Sequence, residues 1–188
     1  MAEVNVRAFL EINSFDELAK YLNITPKELG FFAFSKGDFY SKFQISKKHG
    51  DDSRYIAAPC SKLKLFQQTI AFALTEIYKE RAPSAVHGFL PEHSIATNAL
   101  QHVKKYSVIK LDLKEFFPSI NSGRVRGLFC RYPFNFPNEV INALTNLVCY
   151  NGSLPQGAPT SPILSNMICR KMDTELSQFA KTHRLKYT

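Results

Sequence analysis

The stretch from Val108 to Ile120 constrains the fold most, because it joins an apolar strand pattern to a carboxylate and two aromatic residues. Side chains alternate faces along a strand, so the pattern predicts a buried strand over 107–113 with Asp112 opposite the aliphatic face. A carboxylate at the end of a strand suits a hard divalent cation, and the backbone carbonyl of Leu113 would add a further ligand. The alternative is that Asp112 only caps the next helix, and the strand taken alone favours this simpler interpretation.

Two phenylalanines, Phe116 and Phe117, follow the carboxylate. One can pack in the core while the other forms a wall against a sugar ring. A bulky wall there would exclude a 2′-hydroxyl, which is how a pocket distinguishes deoxynucleotides from ribonucleotides. Two ordinary core phenylalanines remain the alternative.

A second motif runs from Leu154 to Pro162 and contains a glutamine-glycine turn. Gly157 permits a backbone conformation that other residues resist, so Gln156 would project its amide toward a bound nucleotide or template. Ser161 is predicted to cap the helix that follows, whose N-terminal amides favour nearby phosphate. The alternative is a structural turn followed by a helix cap.

Capping and periodicity patterns predict a mostly helical chain with one β-hairpin. Predicted helices cover 14–22, 25–30, 61–80, 94–105, 122–131, 138–149 and 161–183. Predicted strands cover 40–46 and 54–58 around a turn at 47–53, and a further strand begins at 186–188.

The net charge of +8 favours a polyanionic partner, nucleic acid above all, although a basic protein without such a partner remains an alternative. The cysteines lack C-x-x-C spacing, which indicates neither a zinc knuckle nor a disulfide framework and favours a reducing cytosol. They are Cys60, Cys130, Cys149 and Cys169. We expect no membrane segment, because no apolar run is long enough to span a bilayer.

The two motifs in this order resemble those of the reverse transcriptase family. Upstream segments strengthen the resemblance, namely Arg54–Pro59 with Leu63, Lys64 and Gln67, His87–Phe89 with Ser94 and Ile95, and Asn98–His102. The last segment fits the Asn-Ala-x-x-His motif of bacterial retron reverse transcriptases. The resemblance covers residues 40–188. It implies an α+β fold, a right-hand polymerase fragment with a fingers hairpin and an incomplete antiparallel palm sheet.

The resemblance implies roles for the matching residues. Asp112, with the Leu113 carbonyl, would be the first ligand of a site for two Mg²⁺ ions. The implied nucleotide-binding residues are Lys47, Lys48, Arg54, Glu115, Phe116, Phe117, Gln156 and Gly157.

Within this set, Arg54 and one of the two lysines would hold the triphosphate, since guanidinium and ammonium groups on a hairpin suit a phosphate clamp. Glu115 and Phe116 would line the triphosphate side, and Phe117 would be the sugar gate. Gln156 and Gly157 would contact the incoming nucleotide and the template.

Asn98 and His102 are four residues apart and share one helix face. In retrons this region is associated with recognition of the cognate structured RNA. The alternative is a buried amide–imidazole pair that fixes the helix.

The implied organisation is an N-terminal helical extension at 1–35, fingers at 36–106 and an incomplete palm with inserted helices at 107–188. The family's Tyr-x-Asp-Asp block and thumb do not occur in this sequence. We therefore expect a fragment that is inactive alone, because one carboxylate does not hold two Mg²⁺ ions. Unpaired palm edges also predict self-association.

The function implied by the resemblance is RNA-directed DNA synthesis by two-metal nucleotidyl transfer. The alternatives are a non-catalytic RNA-binding or assembly module and a defence-type polymerase that works without a template. Expected partners are a structured RNA template and primer, deoxynucleoside triphosphates and an effector protein, in the cytoplasm of a bacterium.

Overall fold

Helices and one β-hairpin make up the regular structure of the part of the chain that the structure describes. The computed structural model describes residues 5–35, 37–46 and 53–188. In chain order the elements are α1 (Val6–Leu10), α2 (Phe15–Tyr21), α3 (Pro26–Phe34), β1 (Tyr40–Ser46), β2 (Ser53–Pro59), α4 (Ser61–Lys79), α5 (Ile95–Leu100), α6 (Ser122–Phe129), α7 (Asn138–Val148) and α8 (Ser161–Thr182). The predicted α+β class, mostly helical with one hairpin, is confirmed.

Helices α2 and α3 begin where the capping pattern predicts. The side chains of Ser14 and Thr25 accept hydrogen bonds from the backbone amides of Glu17 and Glu28, which satisfies free amides at both helix starts. The prediction that Gly30 ends α3 is wrong, because the helix continues to Phe34 and buries Leu29 and Ala33 on either side of the glycine. That packing offsets the cost of about 1 kcal/mol for a glycine inside a helix.

The hairpin pairs β1 and β2 in antiparallel register, with Tyr40 opposite Pro59 and Ser46 opposite Ser53. Both predicted strands are confirmed. The predicted turn lies outside the described residues except for Ser53, and so do Lys47 and Lys48.

Helices α4 and α7 form the centre of the core. The buried face of α4 follows the predicted helical spacing through Leu63, Phe66, Ile70, Leu74 and Ile77. Helix α7 contacts α2, α3, α4 and α6, so it joins the N-terminal helices to the later part of the chain.

Two later helices differ in detail from their predictions. Thr160, rather than Ser161, is the N-cap of α8, and the Ser161 hydroxyl donates instead to the Pro155 carbonyl at 2.6 Å. Helix α5 is shorter than predicted, ending at Leu100 with turns after it, and it buries none of its residues. A helix without a buried face gains no stability from packing in the core, and such helices stay short.

The strand predicted over 107–113 is not formed, and with it the palm sheet is absent from the described residues. Ile109 and Leu111 are 84% and 87% exposed, so the predicted aliphatic face covers nothing. A strand needs a neighbour for its backbone groups, and the described residues place none beside this segment. Residues 186–188 likewise form no strand.

Within residues 5–35 and 53–188, no helix has both the length and the apolar character needed to cross a membrane.

Candidate functional site

The two sequence motifs meet in space. The amide of Leu154 donates to the carbonyl of Ile120 at 3.0 Å, and the amide of Ser122 donates to the carbonyl of Gly152 at 2.8 Å. Asn121 and Ser153 form an isolated antiparallel bridge between the same segments. The end of the carboxylate motif therefore lies beside the start of the glutamine-glycine turn.

The glutamine-glycine turn also docks on the hairpin. The Ala57 amide donates to the Gln156 carbonyl at 2.9 Å. Gly157 has φ +134°, and a Cβ there would lie 2.8 Å from the Ala57 carbonyl oxygen. Only glycine fits such a backbone angle and such a close approach. The turn thus occupies the edge of β2 that does not pair with β1.

Arg54 shares a surface with this turn. The Ile56 side chain would lie 3.0 Å from a Cβ at Gly157, so it faces the turn. Alternation along β2 puts Arg54 on the same face as Ile56, about 7 Å further along the strand. The Arg54 side chain is exposed, and Gln156 is half-buried. The structure thus brings Gln156 and Gly157 of the predicted set onto β2, the strand that bears Arg54.

Asp112 and Leu113 are exposed on a segment without regular structure. The carboxylate and the backbone carbonyl are oxygen ligands of the kind that a hard divalent cation prefers. Within residues 5–35, 37–46 and 53–188, no three His, Cys, Asp or Glu side chains come close enough together to hold a metal ion. The described residues therefore do not surround Asp112 with a complete set of metal ligands.

Glu115, Phe116 and Phe117 lie in a tight turn after that segment. Glu115 has φ +49°, and its carbonyl accepts from the Ser119 amide at 2.9 Å. Phe116 and Phe117 are half-buried against the core, with ring centroids 5.6 Å apart. The Phe117 ring also lies 6.4 Å from that of Phe89. Phe117 therefore has one side in the protein interior and retains partial exposure.

Gln67 is a buried polar residue to which the sequence interpretation gave no role. Its Nε2 donates to the Tyr40 hydroxyl and to the Leu147 carbonyl, both at 2.8 Å. Gln67 is 0% exposed, so these bonds tie α4 to β1 and α7 inside the core. Gln67 lies four residues after Leu63 and therefore on the apolar face of α4, and this spacing could have predicted its burial.

Asn98 and His102 converge on one residue far along the chain. The Thr188 hydroxyl donates to Asn98 Oδ1 at 2.5 Å, and His102 Nε2 lies 2.6 Å from the same hydroxyl. All three side chains are half-buried. Nearby, His87 Nδ1 lies 3.0 Å from Thr97 Oγ1. Burial, together with the charges of His93, Lys186 and His102, lowers the pKa of His87.

The residue before Thr188 is anchored to α8. The Tyr187 hydroxyl donates to Asp173 Oδ1 at 2.7 Å. Burial raises the pKa of Asp173, and the hydrogen bond from Tyr187 opposes that effect. Residues 187 and 188 are therefore held by hydrogen bonds to two different helices.

Comparisons with known proteins give a consistent result. Residues 45–188 match the family model described as reverse transcriptase (RNA-dependent DNA polymerase). The chain is similar to the retron Mx162 reverse transcriptase of Myxococcus xanthus, with 34% identity over 95% of this chain and 40% of that protein. It is also similar to the retron Ec86 reverse transcriptase of Escherichia coli, with 31% identity over 94% of this chain and 54% of that protein.

A third relative, the retron Mx65 reverse transcriptase of Myxococcus xanthus, is 34% identical over 79% of this chain and 38% of its own length. The chain therefore spans about half or less of each of these relatives, between 38% and 54%.

Proposed function

The chain belongs to the reverse transcriptase family, and we propose that it forms the fingers and the first part of the palm of a retron-type RNA-directed DNA polymerase. The docking of the glutamine-glycine turn on β2 carries the proposal, because it holds Gln156 and Gly157 against the strand that bears Arg54. In this proposal residues 1–35 are a helical extension, 36–106 the fingers and 107–188 the first part of the palm.

The shared surface would bind the incoming deoxynucleoside triphosphate. The exposed guanidinium of Arg54 supplies a planar set of donors that suits phosphate oxygens, and Lys47 or Lys48 would add a second positive charge. Gln156 would contact the nucleotide and the template through its side chain. Gly157 would act mainly as the close contact that seats the turn on β2.

The turn after Asp112 would complete the nucleotide pocket. Glu115 and Phe116 would line the triphosphate side, and Phe117 would be the wall that excludes a 2′-hydroxyl. The contacts of Phe117 with Phe116 and Phe89 support this role, because neighbouring aromatic rings restrict the movement of a side chain.

Reverse transcriptases use divalent metal ions, and we propose Asp112 with the Leu113 carbonyl as ligands for Mg²⁺. The described residues offer too few carboxylates nearby to hold that ion alone. We therefore expect no nucleotidyl transfer from these 188 residues by themselves.

The proposed macromolecular partner is a structured RNA that serves as template and primer. The net charge of +8 supports this, since basic residues gain free energy by releasing counterions from phosphate. We propose the bacterial cytoplasm as its location and an effector protein as a further partner.

The exposed Ile109 and Leu111 support a tendency of the isolated chain to self-associate. Light scattering over a concentration series should show a rising mean mass. Exchange of both residues for serine should reduce that rise. A monomer at every concentration would contradict the expectation.

Primer extension tests the proposal. The complete polymerase, meaning this chain with the palm and thumb that the proposal requires, should extend a primer only on an RNA template with Mg²⁺ and deoxynucleotides. Extension without a template would favour a template-independent polymerase, and RNA binding without extension would favour a non-catalytic module. Robust extension by the 188 residues alone would contradict the incomplete metal site.

A further inference from the structure

We propose that Asn98 and His102 are positioning residues that hold Thr188, and through it the palm segment leading to the remaining metal carboxylates. This inference rests on the proposed polymerase function and deepens it. It differs from a role in RNA recognition because Asn98 Oδ1 and His102 Nε2 both bond the protein itself.

The hydrogen-bond directions in this cluster follow from chemistry. Asn98 Oδ1 only accepts, so the single hydroxyl proton of Thr188 points toward it across 2.5 Å. His102 Nε2 must then donate to the Thr188 oxygen across 2.6 Å. The contact requires the imidazole to carry its proton on Nε2. Both the neutral ring in that tautomer and the protonated ring satisfy it.

The opposite side of the segment is held as well. Tyr187 bonds Asp173 on α8, whereas Thr188 bonds Asn98 on α5. Helix α8 is rooted in the core through Ile163 and Leu164. Residues 187 and 188 are thus held by hydrogen bonds to α8, which packs in the core, and to α5, which lies at the surface.

Helix α5 depends on these polar contacts for its place. It buries none of its residues, and Ile95 and Leu100 are 91% and 66% exposed. Thr97 bonds His87 and Asn98 bonds Thr188, and His102, two residues beyond the end of α5, bonds Thr188 as well. Loss of the Thr188 contacts should therefore loosen both α5 and residue 188, although Tyr187 still bonds Asp173.

Position matters here because catalytic geometry is sensitive to small shifts, and a displacement of about 1 Å can cost about a hundredfold in rate. Under the proposed function, residues 186–188 lead into the strand that brings further carboxylates to Asp112. A loosened Thr188 should therefore lower kcat and leave the affinity for RNA intact.

The test uses four variants of the complete polymerase, namely Asn98→Ala, His102→Ala, Thr188→Val and the conservative Thr188→Ser. We expect kcat to fall about ten- to hundredfold for the first three, with the Kd for RNA within about twofold of the parent. Thr188→Ser keeps the hydroxyl and should retain most of the rate. Thr182→Val is the matched control, because the Thr182 hydroxyl bonds only the Gln178 carbonyl of its own helix.

The double variant His102→Ala with Thr188→Val should be no slower than Thr188→Val alone, because Thr188→Val already removes the contact that His102→Ala removes. The proposal is overturned if Asn98→Ala and His102→Ala weaken RNA binding about tenfold while Thr188→Val has the kinetics of the parent. Additive losses in the double variant would also overturn it.

Failure of the proposed function is distinguishable from failure of this inference. If the unmodified polymerase extends no primer, the proposed function is wrong, and the contact is then tested by thermal unfolding of the 188-residue chain. If the double variant His102→Ala with Thr188→Val loses less Tm than the sum of the two single variants, the contact between His102 and Thr188 is supported. Additive losses of Tm overturn it. The same measurement decides the question if a variant of the polymerase does not fold.

Discussion

The amide of Ala57 and the carbonyl of Gln156 are joined by a hydrogen bond of 2.9 Å, ninety-nine positions apart in the sequence. This bond attaches the turn of the second motif to the free edge of the hairpin. Since the same turn is also bonded through Leu154 to Ile120, the hairpin, the turn and the end of the carboxylate motif form one connected unit.

Gly157→Ala should disrupt the contact between the turn and β2. The new Cβ would lie 2.8 Å from the Ala57 carbonyl oxygen at a φ of +134°. Strain and overlap together should cost about 2–4 kcal/mol of unfolding free energy, measured by urea denaturation. The control is Gly152→Ala, which has φ +78° but meets nothing within 4 Å, so it reports backbone strain without the overlap. Equal losses in both variants would contradict the close contact with β2.

Gln67→Leu should destabilise the core although it adds apolar surface. It removes the donor to the Leu147 carbonyl and the Tyr40 hydroxyl, leaving buried polar atoms without that partner. The expected loss is about 1–3 kcal/mol of unfolding free energy. Gln68→Leu, at the exposed neighbouring position, should change it by less than about 0.5 kcal/mol. A stabilised Gln67→Leu variant would show that the buried amide does not contribute.

Arg54→Ala in the complete polymerase should raise KM for deoxynucleotides about tenfold or more, because a charge-assisted hydrogen bond contributes about 1.5–3 kcal/mol. The Kd for RNA should stay within about twofold. Steady-state kinetics and a filter-binding assay measure the two quantities. Arg7→Ala is the control, since Arg7 pairs with Glu11 on α1. An equal fall in RNA affinity would argue against the triphosphate role.

Cys149 should react slowly with iodoacetamide, as should the buried Cys169, since burial raises the pKa of Cys149 to about 12 while Cys60 and Cys130 are exposed. Its folded pKa exceeds the unfolded value of about 8.5, so its contribution to stability is complete below that pH and is lost as pH rises toward 12. Mass spectrometry of partial alkylation at pH 8.5 should find Cys60 and Cys130 modified first. Modification of Cys149 as fast as that of Cys60 would contradict the raised pKa of Cys149.

Local patterns were sufficient for most helices and for the hairpin. Capping by Ser14 and Thr25 and the apolar spacing of α4 depend on residues close in sequence, so the chain itself reveals them. The strand expected at 107–113 failed for a different reason. Its pattern was adequate, but strand formation depends on a neighbour that the described residues do not provide.

The sequence indicated which residues belong to the candidate site, but it did not reveal which residues they contact. The motif indicated Gly157, yet its partner is the Ala57 carbonyl on β2, which spacing does not reveal. Asn98 and His102 were selected as a pair on one helix face, but Thr188 as their common partner lies at the far end of the sequence. Such long-range pairings follow from tertiary packing and have no local pattern.

Primer extension by Asp112→Asn in the complete polymerase tests the central claim most directly. Asparagine preserves the size and removes the charge, and Asp16→Asn at an exposed site of α2 is the control. Loss of a metal carboxylate removes several kcal/mol of transition-state stabilisation, so extension on an RNA template should fall more than about a hundredfold. The Kd for RNA and the far-ultraviolet circular dichroism should not change. Extension by Asp112→Asn at the rate of the Asp16→Asn control would contradict the assignment of this chain to a polymerase palm.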